Sequence, residues 1–145
     1  MNNKISSIKE KMRQALTSTL RVISEDFKVK NQDKKKPDNK ETEVLTVDSL
    51  ETPQDFVRLR AEFDSKALEK KFSNPGIFKN NLPQNSSCRT LYKIAEKTRY
   101  EVLGSQMLKG IEKNLNENYY KKIEMKNDQK INSKEDIQVA EAFEL

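Results

Sequence analysis

The sequence predicts a mainly α-helical fold: three longer helices packed as a small bundle, with a short β-hairpin and a trailing C-terminal helix. Three observations carry that reading. Apolar residues recur at steps of three and four over long stretches, the helical period rather than the strand period. Only three glycines and four prolines stand among 145 residues, so most of the chain has no local reason to interrupt a helix. And with 34% hydrophobic against 35% charged residues, no Trp, six Phe and four Tyr, the chain can fill one modest core but leaves polar segments that no core can order.

The elements follow in order. Ile5, Ile8, Met12, Leu16, Leu20 and Ile23 form one helical stripe over residues 4–24, broken by Ser24-Glu25-Asp26. Phe27-Lys28-Val29 alternates in strand fashion and can pair with Val44, Leu45 and Val47; between them NQDKKKPDNKET reads as a mobile loop over about 31–43. Thr52 as N-cap, Pro53 at the first position and Asp55 in the first turn open a helix to Phe72, with Phe56, Leu59, Phe63, Ala67 and Leu68 along one side. Asn74-Pro75-Gly76 ends it, and a loop anchored by Ile77, Phe78 and Leu82 follows. Ser86 or Ser87 is expected to cap the longest helix, from Cys88 to about Tyr120, a rod of roughly 50 Å. Its stripe is Leu91, Ile94/Ala95, Thr98, Val102, Met107/Leu108, Ile111, Leu115 and Tyr119. Residues 1–122 thus make a helical domain. Residues 123–145 make a polar linker and a last helix from Ser133 or Lys134, with Ile137, Ala140 and Phe143. No glycine or proline closes that helix, so a truncated chain is expected.

Several chemistries are excluded by residue type. Without histidine the chain cannot build a His-based triad or a His-ligated metal site, and a lone Cys88 cannot ligate a zinc or iron–sulfur centre by itself. Glycine at 76, 104 and 110 assembles neither a Walker A loop nor a dinucleotide loop. One cysteine points to a reducing compartment. No signal-peptide core or membrane-length apolar run occurs, and a cytoplasmic location is the expectation. The formal net charge of +5, with pI near 9.2, is compatible with a stand-alone basic protein that binds nucleic acid. Yet 28 basic residues interleave with 23 acidic ones, and the run Lys34–Lys36 lacks the aromatics that grip single strands. A solvated loop is the plainer reading.

The stretch AEKTRYEVLGSQMLKGIEKNL (Ala95–Leu115) stands out. It places Gly104 and Gly110 among strong helix formers, where each costs about 1 kcal/mol relative to alanine. Six positions set them about 120° apart around a helix. Each is therefore expected to admit a separate neighbour, such as the first and second helices. Glu96 and Arg99 face each other at i, i+3, and Lys97 and Glu101 at i, i+4. They read either as a solvated ion-pair face or as a patch that docks a partner through Arg99.

Counted out, this stretch is E-x-x-R-x-E-x-x-G-x-x-M-x-x-G-x-x-x-N-L, and it resembles the T subunit of aerobic cobaltochelatase. Glu96, Arg99, Glu101, Gly104, Met107, Gly110 and Asn114 fall on that family's pattern, the methionine one position early. ALTSTLRVIS (Ala15–Ser24) and VRLRAEFDSKAL (Val57–Leu68) are similar to the family's first two helices. The resemblance implies a subunit of an ATP-dependent complex that inserts cobalt(II) into hydrogenobyrinic acid a,c-diamide during cobalamin biosynthesis. Its partners would be an AAA+ ATPase subunit and a large tetrapyrrole-binding subunit. ATP, Mg and cobalt belong to the complex, with no cofactor bound by this chain. An assembly role within a hetero-oligomer follows, with those seven residues as the candidate partner-binding set and no catalytic residue. Partnership with an AAA+ ATPase of other purpose is a further alternative. The family normally continues through an acidic linker to a von Willebrand A-type domain. Its histidines after the second-helix segment have no counterpart here, so metal handling by them does not carry over.

Overall fold

The computed structural model of the chain describes residues 2–26, 52–127 and 139–144. Helices α1 (Asn2–Ser24), α2 (Pro53–Phe72), α3 (Pro75–Asn80), α4 (Ser86–Met107), α5 (Lys109–Asn127) and α6 (Val139–Glu144) follow in order. Among the described residues there is no strand. The hairpin expected from Phe27–Val29 and Val44–Val47, the loop over 31–43 and Ile137 all lie outside them.

The centre of the bundle is α2, which touches α1, α4 and α5. Its start is as the sequence predicts. The Thr52 hydroxyl accepts from the Asp55 N–H, the Asp55 carboxylate accepts from the Thr52 N–H, and Pro53 occupies the first turn. Because helices pack on several sides of it, α2 buries more than one stripe: Leu59, Phe63, Ala67 and Leu68 as expected, and also Ala61 and Asp64. Phe56 is exposed.

Met12, Leu16, Leu20 and Ile23 of α1 join this core. Ile8 does not, at 58% exposure. After Ser24 the chain turns through Glu25 at φ 57°, a left-handed conformation common just past a helix end. Glu25 and Asp26 then pair with Lys71 and Lys70, so the C-terminal ends of α1 and α2 lie side by side.

Three sequence expectations need correction. Pro75–Asn80 is a short helix rather than a loop: Asn74 accepts from the Gly76 and Ile77 N–H groups and Pro75 sits at its first turn. Phe78 stacks on Tyr92 of α4 with ring centroids 5.1 Å apart, while Ile77 is exposed and anchors nothing. The cap of α4 is Asn85, whose side chain accepts from the Ser87 and Cys88 N–H groups, one position ahead of the serines. The largest correction concerns the rod over 88–120, which is two helices.

Leu108, at φ −136° and ψ 109°, is extended, and it turns α5 back along α4. Tyr119 thereby hydrogen-bonds Glu101, eighteen residues earlier. On a straight helix those residues would stand about 27 Å apart. The bend brings Ile111 and Leu115 into the core against α2, a burial that a straight rod could not reach. It also overturns the expected stripe on α4. Thr98, Val102, Met107 and Leu108 are exposed, and Tyr100, Glu101 and Gly104 take the inner face. The last helix, α6, is described over Val139–Glu144 and lies against α4, with Val139 and Phe143 exposed; the start expected at Ser133 or Lys134 lies outside the described residues.

Replacing Leu59, which is 2% exposed, by alanine should lower unfolding free energy by about 2–5 kcal/mol. Ile8→Ala should change it by no more than about 0.5 kcal/mol. Urea denaturation followed by circular dichroism reads both; equal losses would contradict this placement of the core.

Candidate functional site

The seven residues of the E-x-x-R motif lie along α4 and the first turns of α5, and five of them bond to or pack on α2 or its C-cap. Glu96 and Arg99 make a two-point pair, from Arg99 Nε to Glu96 Oε2 and from an Arg99 terminal nitrogen to Glu96 Oε1, both 2.8 Å. The same terminal nitrogen donates to the Phe72 carbonyl at 2.8 Å, and the Ser73 hydroxyl donates to Glu96. The pair therefore clamps the C-terminal end of α2, where free carbonyls carry the negative end of the helix dipole.

One turn further on, Glu101 is buried and accepts from the Ser65 hydroxyl of α2 and the Tyr119 hydroxyl of α5, the latter at 2.8 Å. Lys97, its expected i, i+4 partner, places its ammonium 5.6 Å from the centre of the Tyr119 ring; Lys122 does the same at 5.4 Å. Asn114 donates to Asp64 Oδ2 at 2.6 Å and so ties α5 to α2. No buried side-chain nitrogen or oxygen among the described residues lacks a partner.

Gly104 and Gly110 part company. A Cβ on Gly104 would stand 2.8 Å from Leu68 Cγ and nearer still to both Leu68 methyls. Leu68 is fully buried and has nowhere to go. Gly104 thus admits the second helix, α2, one of the two neighbours expected. Gly110 has no atom within 4 Å of where its Cβ would be. The expected second neighbour is not there, because the bend carries Gly110 to the outside of the corner. Met107 is likewise exposed, at 45%.

Residue spacing within the long helix did not single out Asp64, Ser65, Ser73 or Tyr100. Asp64 and Ser65 stand inside the second-helix segment, between Phe63 and Ala67. A carboxylate at a core-facing position is the signal that could have marked them.

Charge follows the geometry. The Arg99 hydrogen bonds hold the Glu96 carboxyl below its ordinary range against the opposing effect of partial burial, and Glu96 raises Arg99 in turn. Burial pushes Asp64 the other way, upward, with Asn114 and the Arg60 charge opposing. Burial also pushes Tyr100 up to about 12, partly offset by its hydrogen bond with Ser65.

These features define a helical bundle whose reactive-looking groups hold its own helices together, with an apolar corner facing outward. Among the described residues no three acidic or cysteine side chains gather to hold a metal ion, and no helix is long and apolar enough to cross a membrane. The family model described as cobalamin biosynthesis protein CobT matches residues 6–145, and the chain belongs to that family. Membership places it in cobalamin biosynthesis. No curated protein and no solved structure matches it.

The two glycines should respond to alanine with opposite signs. Gly110→Ala should stabilise by up to about 1 kcal/mol, the ordinary helix-propensity gain. Gly104→Ala should destabilise in spite of that gain, and Leu68→Ala in the same chain should cost less than it does alone, a coupling that a double-mutant cycle in urea would read.

The two carboxylates should also oppose each other in pH dependence. A folded-state value below the ordinary one means that Glu96 stabilises above about pH 4.5 and loses this as pH falls. A raised value means that the contribution of Asp64 is full below its ordinary 3.8 and is lost as pH rises through the raised value. The loss in Glu96→Gln should therefore grow from about pH 3 to pH 7, while Asp64→Asn should gain relative to the parent over the same range. Urea titrations across that range test both; parallel pH profiles for the two variants would refute the assignment.

Proposed function

We propose that this chain is the N-terminal helical part of the T subunit of an aerobic cobaltochelatase and that it acts in assembly. In this reading it joins the AAA+ ATPase subunit, which handles ATP and Mg, to the large subunit that holds the tetrapyrrole. Cobalt(II) and the corrin-ring precursor are substrates of the complex as a whole.

The observation that carries the proposal is the family match over residues 6–145 of a chain that has no histidine. The disposition of the motif supports it. Glu96, Arg99, Glu101, Gly104 and Asn114 fix α4 and α5 on α2, which leaves Met107 and Gly110 at the outer corner beside the exposed Leu103 and Leu108. In this reading the five residues that bond to or pack on α2 and its C-cap shape the surface, and Met107 and Gly110 touch the partner. Exposed apolar side chains on a rigid helical corner are suited to insertion into a pocket of another subunit.

The test is capture of the AAA+ chelatase subunit by the affinity-tagged chain. The expected outcome is retention of the ATPase by the parent and at least a tenfold weaker affinity for Met107→Asp, a loss of roughly 1.4 kcal/mol, with thermal stability unchanged. Absence of capture, or unaltered affinity in that variant, would count against the reading.

A further inference from the structure

The only local weakness beside the bend at Leu108 is Gly110, worth about 1 kcal/mol against a continuous helix, which is too little to set the bend by itself. Leucine is among the better helix formers, and neither proline nor glycine occupies the break. The flanking residues are helical over Ser86–Met107 and Lys109–Asn127. Apart from Gly110, the residues around the break favour one continuous helix, and the fold departs from it by one residue only.

What holds the bend is tertiary. Ile111 and Leu115 bury themselves in the core, Asn114 donates to Asp64, and Tyr119 donates to Glu101. The bend also changes the backbone bonding. Leu108 N–H donates to the Gly104 carbonyl, and the N–H groups of Ile111 and Glu112 donate to the Leu108 carbonyl. A continuous helix would keep the first of these and the Glu112 bond, and would pair Lys109, Gly110 and Ile111 N–H with the carbonyls of Ser105, Gln106 and Met107. Straightening thus adds backbone bonds, provided that something else fills the place that α5 leaves.

We propose that the chain forms an exchanged dimer in which α4 and α5 straighten at Leu108 into one helix, and α5 of each protomer packs against α2 and α4 of a second copy. Exchange of an identical element between protomers is a low-cost route to a dimer, because every contact made within the chain is remade between chains. The occupant is a second copy of this chain for a specific reason. A vacated α2–α4 face exposes two carboxylates, Asp64 and Glu101, and an apolar strip between them. Asn114, Tyr119, Ile111 and Leu115 carry the donors and the shape that satisfy all of these together. The inference does not rest on the chelatase reading and stands or falls separately from it.

Two measurements on the full chain test it. In Lys109→Pro, proline takes the first position of α5, where its fixed φ suits a helix start. It also holds Leu108 in the extended region that Leu108 already occupies, and it forbids the continuous helix. The parent, refolded from guanidinium at high protein concentration, should give a dimer by size-exclusion chromatography with light scattering. Lys109→Pro should stay monomeric with unchanged helical content.

The second measurement needs no change at the hinge. Cys88 is the only cysteine and is exposed, and Met125 is exposed on α5. Nitroxides on Cys88 and on Met125→Cys, in protomers diluted with excess unlabelled chain before refolding, report the distance within one protomer. The isolated dimer should show a separation of about 55 Å, the length of 37 helical residues, where the folded-back monomer gives a short one. A parent that stays monomeric throughout, a dimer that persists in Lys109→Pro, or a short distance inside the dimer each overturns the proposal.

Discussion

The close approach of α2 to α4, where Leu68 lies against the bare backbone of Gly104, is the constraint on which the other contacts depend. Helices that meet through large side chains on both sides stand 8–10 Å apart, depending on what lies at the contact. A glycine at the crossing lets one leucine fill the gap alone. That spacing brings Ser65 within reach of Glu101 on one side of the contact and Ser73 within reach of Glu96 on the other. A wider separation would break both of these bonds to the α2 side, and with them the clamp that Arg99 makes on the Phe72 carbonyl.

Much of this bundle was legible in the sequence, and what was missed has physical reasons. The start of α2 was readable because capping is local: Thr52, Pro53 and Asp55 settle it among themselves. The same logic, applied to Asn74-Pro75 and to Asn85, would have found α3 and the true start of α4, since an asparagine side chain caps as well as a serine. The bend at Leu108 was not readable, because its neighbourhood offers only the weak signal of Gly110, which does not by itself place a break. Contacts fifty residues apart, such as Asn114 with Asp64, decide it.

The motif was legible as a pattern before it was legible as a mechanism. Its charged members were equally consistent with a solvated face, and only the burial of Glu101 and the reach of Arg99 to Phe72 separate the two readings. Gly104 could be recognised as a point of close approach, whereas the sequence held no clue that Gly110 would sit outside. Spacing along a helix gives relative direction only as long as the helix is unbroken. A single extended residue between the two glycines cancels the comparison.

The buried polar pairs have one more effect, on how the bundle can move. Apolar side chains tolerate small slips, since one methyl group serves about as well as another. Directed donors and acceptors do not. Shifting α5 lengthwise by one helical turn, about 5.4 Å, would part Asn114 from Asp64 and Tyr119 from Glu101 in the same step. Buried Asp64 would then lose its Asn114 donor and buried Glu101 would keep Ser65 alone, and a buried acceptor left unmatched costs about 1–3 kcal/mol. These two directed pairs hold α5 in one register against α2 and α4.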